Sequence, residues 1–194
     1  MILALRRDDV ADLNRLARRE MVRGRRLGEE PLIVGNREFR TGDRVVCLRN
    51  QRADDLLNGL RGEVTSVDPE APSLTVRLTD GTDRVVPSNY LDAGHLDHGY
   101  AMTIHKAQGL TADEALVLAT DDLYQEAGYT ALSRARLETR VYVVADDFED
   151  DPSIDLGHAG LARQPALVGW LHRSGTSSLA VDHLIVTGMS RDIG

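Results

Sequence analysis

Residues 114–145 read EALVLATDDLYQEAGYTALSRARLETRVYVVA and decide the fold class. Two apolar runs, EALVLA at 114–119 and RVYVVA at 140–145, each have the length of one buried strand. We predict a helix between them, over residues 123–132. Continuous apolar strands that alternate with helices are typical of a parallel sheet covered on both faces. The sequence therefore predicts an α/β domain.

The start of the chain supplies another strand and helix for the same sheet. MILAL at 1–5 predicts a short buried strand, and residues 8–27 predict a helix. Val10, Leu13 and Leu16 recur there at helical spacing. Because a strand followed by a helix opens an α/β unit, we expect the first strand to join the later ones in one sheet.

A β-rich block separates these two parts. Residues 38–92 contain four short runs: GDRVVCLRN, GEVTSVD, LTVRLTDG and DRVVPSNYL. Turn residues such as Asn58-Gly59 and Asp80-Gly81 divide them. Such close spacing indicates a small barrel or meander, and an SH3-like barrel has the right size. We predict one α/β domain from residues 1–37 and 93–150, with 38–92 inserted.

The C-terminal part, residues 151–194, is predicted to be an acidic linker followed by a helical tail. The acidic run DDFEDDPSID at 146–155 is typical of a solvated linker. Beyond it, residues 158–172 and 176–186 predict helices. We find no candidate for chemistry in this part.

Composition limits the possible classes of protein. The 194 residues have a formal net charge of -8, which argues mildly against a general nucleic-acid coat protein but allows a local cationic track. Cys47 is the single cysteine, so no internal disulfide can form and we expect a cytoplasmic location. Without a run of about 20 apolar residues, no membrane span is expected.

The first candidate site is YAMTIHKAQGLT, residues 100–111, at the end of a predicted strand that runs into a loop. Its candidate residues are Thr103, His105, Lys106, Gln108 and Gly109. Threonine and histidine can donate to a phosphate oxygen, lysine supplies charge, and glycine lets the backbone approach closely. Lys106 is also the chain's only lysine. The segment predicts a phosphate or polyanion site; the alternative is a polar loop with a satisfied histidine.

The second candidate site is GYTALSRARLETRVYVV, residues 128–144. Arg134 and Arg136 follow Ser133 where the predicted helix ends. The planar fork of arginine suits phosphate, and an arginine finger stabilises charge on a transferring γ-phosphoryl group. The alternative is a surface arginine that pairs with Glu138 or with the acidic run.

Together the two sites resemble motifs V and VI of superfamily 1B DNA helicases, especially the RecD-like branch and the helicase region of conjugative relaxases. Residues 100–109 resemble motif V and residues 129–135 resemble motif VI. The β-rich block resembles the SH3-like insert that precedes motif V in that branch, and the first helix, with Asn14, resembles the motif IV region. The resemblance covers residues 1–146. It implies a second RecA-like parallel-sheet domain with a small inserted SH3-like β-barrel.

The resemblance implies a role in binding single-stranded DNA. Thr103 and His105 would contact the backbone of the strand. Lys106, Gln108 and Gly109 would lie between the DNA and the nucleotide and couple the two. The insert would guide the strand, although Tyr90 is the only aromatic near its end that could stack on a base.

The resemblance also implies a share in ATP hydrolysis. Arg134 would be the catalytic arginine finger on the γ-phosphate, and Arg136 would support it. No Walker loop G-x-x-x-x-G-K-[ST] is possible in these residues, because Lys106 is the only lysine. In the family, the Walker loop lies in a first RecA-like domain. ATP and Mg²⁺ are therefore expected only when such a domain, the predicted partner, completes the site; no metal-ligand set is predicted here.

Three functional hypotheses follow. The first is the C-terminal half of an ATP-dependent DNA helicase, related to a conjugative relaxase-helicase and implied to move 5′ to 3′. That half would lack ATPase activity by itself. The second is a non-enzymatic module that binds single-stranded DNA or a partner. The third is a truncated remnant. Salt-dependent binding of DNA tests the second hypothesis, because counterion release makes affinity fall steeply with salt.

Overall fold

A computed structural model of the protein describes residues 1–120, 122–144 and 184–189. Its strands are β1 (Ile2–Ala4), β2 (Pro31–Val34), β3 (Arg37–Arg40), β4 (Arg44–Cys47), β5 (Arg61–Asp68), β6 (Ser73–Leu78), β7 (Asp83–Val86), β8 (Leu96–His98), β9 (Ala101–Thr103), β10 (Ala112–Ala119), β11 (Ala135–Val144) and β12 (Leu184–Met189). Its α-helices are α1 (Arg7–Arg23), α2 (Ser88–Asp92), α3 (Ile104–Ala107) and α4 (Gln125–Leu132). None of the helices in the described part is both long and apolar enough to cross a membrane.

The chain divides into two compact units. The first unit contains residues 1–11 and the described residues from 101 onward. Its sheet is parallel throughout, in the order β12-β11-β10-β1-β9. Leu3, Val117 and Val141 are buried in its core, as expected for continuous apolar strands. The predicted α/β parallel sheet is confirmed, and so is the pairing of the first strand with the later ones.

The second unit, residues 12–100, is rich in antiparallel strands. Strands β4 to β7 form a meander, β8 pairs with the free edge of β4, and β2 and β3 form a separate hairpin. The Asp80-Gly81 turn joins β6 to β7, with Gly81 in the left-handed conformation that the turn needs. This unit extends beyond the predicted block 38–92 because β2, part of β3 and β8 lie outside it. Its SH3-like class stays a prediction.

The predicted helical tail is wrong where the structure describes it. Leu184–Met189 is a strand, β12, which pairs in parallel with β11. The predicted helix over 176–186 therefore cannot include its last three residues. The run Ile185-Val186-Thr187 is β-branched, and such residues favour an extended backbone on a sheet. The acidic linker and the rest of the predicted tail lie outside the described residues.

A buried ionic network holds several elements of the second unit together. Asp43 is fully buried and accepts hydrogen bonds from Arg18 Nε (3.1 Å), the Tyr100 hydroxyl (2.6 Å) and the Arg40 backbone N–H (2.8 Å). Arg18 also donates to Glu38 (3.0 Å). Burial, and then the hydrogen bond to Asp43, raises the pKa of Tyr100. The network therefore joins three segments that are remote in sequence: Arg18, residues 38–43 and Tyr100.

His98 lies beside this network and is neutral at physiological pH. Its Nε2 is 3.1 Å from the backbone carbonyl oxygen of Glu38, which can only accept, so Nε2 carries the proton. The ring packs against Phe39, with centroids 5.1 Å apart. Burial lowers the pKa of His98, as does the charge of Arg18, while the carboxylates of Asp43 and Asp97 oppose the shift.

Because of His98, the stability of the chain should fall as pH drops through the ordinary histidine pKa of about 6.5. In that range the unfolded chain gains a proton at His98 but the folded chain does not, so protons favour unfolding. Thermal unfolding between pH 5 and pH 7.5 measures the effect. His98→Gln, which has no titrating group, should flatten this pH dependence; an unchanged slope would contradict the assignment.

Candidate functional site

The motif V segment is a short helix at the end of a strand. Strand β9 ends at Thr103, whose hydroxyl oxygen accepts a hydrogen bond from the Lys106 backbone N–H (3.3 Å) and caps α3. Ile104 and Ala107 are buried, whereas His105 and Lys106 are exposed. The predicted loop is therefore wrong at these residues, because the threonine cap and the buried apolar pair stabilise a helical turn. The turn presents the side chains of His105 and Lys106 to solvent.

A tight turn follows this helix. Gly109 has φ +84°, and a Cβ placed there would meet no atom within 4 Å. The left-handed backbone conformation is therefore the reason for a glycine at position 109. From the sequence, we expected the glycine to let the backbone approach a ligand closely. The backbone N–H of Leu110 donates to the Ala107 carbonyl (2.9 Å), which closes the turn. Gln108 is exposed immediately before it.

The motif VI segment is held to this turn by Arg134. Its guanidinium donates from Nε to the Thr130 carbonyl (2.8 Å), from NH2 to the Ser133 hydroxyl (2.8 Å) and from NH1 to the Leu110 carbonyl (3.2 Å). The last bond crosses from the end of α4 to the turn after motif V. Arginine has five N–H groups, so contacts to the described residues leave two for another acceptor.

Arg136 has a different environment. Its Nε and NH2 donate to Asp113 Oδ1 at 3.0 and 2.6 Å. The pair is solvated, since 66% of the Arg136 side chain and 63% of the Asp113 side chain are exposed. Glu138, the partner weighed from the sequence, pairs with Arg140 instead (2.7 Å). Arg136 is therefore an exposed residue with a local partner, and its proposed support of Arg134 stays a prediction.

The structure brings the two motif segments together through the backbone. Arg134 contacts the carbonyl of Leu110, one residue after Gly109, and the described contacts include none between Arg134 and the side chains of the five motif V candidates. The sequence missed Leu110, because a carbonyl contact leaves no signal in residue type. The described residues contain no group of three or more His, Cys, Asp or Glu side chains placed to hold a metal ion.

Comparisons with known proteins show which helicases this chain resembles. Residues 98–144 match the UvrD-like helicase C-terminal domain. The chain is 37% identical over 148 residues to a conjugal transfer protein TraA of Rhizobium radiobacter, covering 73% of this chain and 13% of that protein. It is 34% identical over 113 residues to the ATP-dependent RecD2 DNA helicase of Deinococcus radiodurans, covering 56% of this chain and 15% of that protein. The chain thus spans a small part of these relatives.

A solved structure shows the same fold. The Pif1 helicase from Bacteroides, crystallised with ADP-AlF3 and ssDNA, aligns with a TM-score of 0.50 at 22% identity over 70% of this chain and 38% of that chain. Together, the matches confirm the resemblance to the C-terminal region of superfamily 1B DNA helicases. The sequence matches are to a UvrD-like helicase C-terminal domain, to TraA and to RecD2, and the Pif1 structure supports the fold.

Proposed function

We propose that this chain supplies the single-stranded DNA contacts and the arginine finger of an ATP-dependent DNA helicase. The observation that carries the proposal is the hydrogen bond from Arg134 to the Leu110 carbonyl (3.2 Å), which links the two motif segments. A motor must convert a change at the nucleotide into a change at the DNA. A finger arginine attached to the turn behind the DNA-contacting helix provides a short physical route for that coupling.

The DNA contacts are proposed for the exposed face of the turn formed by α3. Ile104 and Ala107 anchor the turn in the core, while His105 and Lys106 face solvent. Thr103 uses its oxygen as an acceptor for the helix cap, which leaves its hydroxyl proton available to a phosphate oxygen. The Bacteroides Pif1 structure contains ssDNA, which supports this choice of ligand.

The ATP contact is proposed for Arg134. Two of its N–H groups remain for a γ-phosphate after its contacts to Thr130, Ser133 and Leu110. ATP and Mg²⁺ would be held by a Walker-containing first RecA-like domain, since the printed sequence has no Walker lysine. The similarity to the conjugal transfer protein TraA supports a motor of the relaxase-helicase kind.

The second unit is proposed to be the SH3-like insert that guides the single strand. Its antiparallel meander and separate core support a small β-rich module. Its three aromatic residues, Phe39, Tyr90 and Tyr100, are all buried. Tyr90, the candidate for stacking on a base, is therefore unavailable, and any guidance must come from polar or charged groups.

Thr103→Ala and His105→Ala should each weaken binding of single-stranded DNA by about 2- to 10-fold, the usual worth of one hydrogen bond. Fluorescence anisotropy with a labelled oligothymidine at low salt measures the affinity. Thr82→Ala is the matched control, because Thr82 is an exposed threonine in a hairpin turn of the other unit. Wild-type affinity in both site variants would remove these residues from the DNA contact.

A further inference from the structure

Arg61 is a half-buried arginine that has no counter-ion among the described residues. It lies on β5, and its NH1 donates to the backbone carbonyl of Gly99 (3.1 Å). No ion pair joins it to a carboxylate in the part of the chain that the structure describes. Burial lowers its pKa, and no neighbouring charge offsets that effect. One N–H is used by Gly99, so four of the five remain for another acceptor.

This environment differs from that of two paired arginines on the same unit, Arg18 and Arg77. Arg18 is paired with Asp43 and Glu38 in the buried network, and Arg77 forms a bidentate pair with Asp83 (2.9 and 3.1 Å). An ionised group that loses water without gaining a counter-ion is unfavourable for folding. A ligand that carries negative charge would remove this cost.

Arg44 lies beside Arg61 on the same face of the sheet. In the β4–β5 ladder, Arg44 is opposite Glu63, and Val46 is opposite Arg61. The two arginines are therefore diagonal neighbours on one face. Diagonal neighbours in an antiparallel pair lie about 7–8 Å apart. Gly99 joins them, since its N–H donates to the Arg44 carbonyl (2.7 Å) and its own carbonyl accepts from Arg61.

Only glycine fits at position 99. A Cβ there would lie 2.8 Å from the Val45 carbonyl carbon, so the backbone could not approach β4 so closely with a side chain. This close approach places the Gly99 carbonyl where Arg61 can reach it.

Glu63 is the one carboxylate directly opposite Arg44, and it also lies opposite Arg77 on the next strand. Arg44 therefore has a carboxylate directly opposite it on β5, whereas Arg61 lies opposite the apolar Val46.

We propose that Arg61, with Arg44 beside it, binds backbone phosphates of single-stranded DNA at the face of β4 and β5 that carries both arginines. The inference rests on the proposed function and adds a DNA contact within the second unit. A guanidinium fork matches a phosphate, and phosphate contacts position a strand without reading its sequence. Because Phe39, Tyr90 and Tyr100 are buried, none of them can stack on a base, which favours contact with the phosphates.

Arg61→Met should weaken binding of a labelled oligothymidine to the full chain about tenfold, as expected for loss of a charge-assisted hydrogen bond. The slope of log affinity against log salt should become shallower by about 0.7, the contribution of one phosphate on a single strand. Arg77→Ala removes the same charge from the same face and is the control. Since Arg77 is already paired with Asp83, we expect its slope to stay that of the wild type.

The outcomes separate this inference from the proposed function. Wild-type affinity and slope for Arg61→Met, together with weaker binding by Thr103→Ala, overturn the Arg61 site and leave the proposed function standing. No binding by the unsubstituted chain overturns both. If Arg61→Met unfolds at a lower temperature than the wild type, Arg61→Lys replaces it as the test. Lysine keeps the positive charge but lacks the guanidinium fork. The proposed site then predicts weaker binding of the oligothymidine with an unchanged salt slope, and wild-type affinity would overturn it.

Discussion

Replacing Arg134 with alanine should lower ATP turnover by about 10³- to 10⁵-fold in a motor completed by a Walker-containing first RecA-like domain. The reason is that the guanidinium would stabilise charge on the transferring γ-phosphoryl group, a role that alanine cannot fill. The present geometry leaves two N–H groups for that purpose. Single-strand-stimulated phosphate release from a fusion of the two domains measures the effect.

Arg140→Ala is the matched control for this prediction. It removes an arginine of the same unit that lies outside the proposed site and pairs with Glu138 (2.7 Å), so turnover should change little. Thermal unfolding of both variants separates a catalytic effect from a loss of fold. Equal losses in the two variants would contradict the finger assignment. Robust turnover by the isolated chain would show that no further domain is needed.

Asp43→Ala should have the largest effect on stability, lowering the free energy of unfolding by about 3–5 kcal/mol. Removing the carboxylate leaves Arg18 with Glu38 alone and leaves the buried Tyr100 hydroxyl and the Arg40 N–H without their acceptor. Losing one partner of a buried pair is more costly than losing a surface pair, because the remaining charge stays out of water.

Urea denaturation measures this loss. Asp43→Asn should be less damaging than Asp43→Ala, since the amide oxygen can still accept one hydrogen bond. Asp83→Ala, which breaks the exposed pair with Arg77, is the control and should barely move the midpoint. A midpoint for Asp43→Ala close to that of Asp83→Ala would mean that the network contributes little to stability.

Much of the fold could be predicted from local patterns. The runs that became β10 and β11 are apolar throughout, which is sufficient to indicate buried parallel strands. The Asp80-Gly81 pair predicted the hairpin between β6 and β7. Local patterns failed over residues 184–186, the last three of a predicted helix, because a short apolar run suits either state and pairing with β11 decides it.

The candidate site, too, could be predicted from the sequence only in part. Residue types and their order were enough to propose Thr103, His105, Lys106 and Arg134 as candidates, because phosphate chemistry needs those donors and a linear motif records them. Nothing in the sequence indicated that Arg134 would reach the Leu110 carbonyl, 24 residues away. A backbone acceptor is the same atom in every residue, so its identity is known only once the chain is folded.

The sequence by itself determined the parallel α/β sheet, the β-rich segment between its strands and the two helicase motifs, since each depends on periodicity or residue type within a short window. The tertiary structure alone decided which charges are paired. Asp43 meets Tyr100 across 57 residues, whereas Arg61 donates to the carbonyl of Gly99 and has no ion pair among the residues that the structure describes. The strength of a charge's interactions depends on its burial and on partners remote in sequence, and neither is recorded in the local pattern.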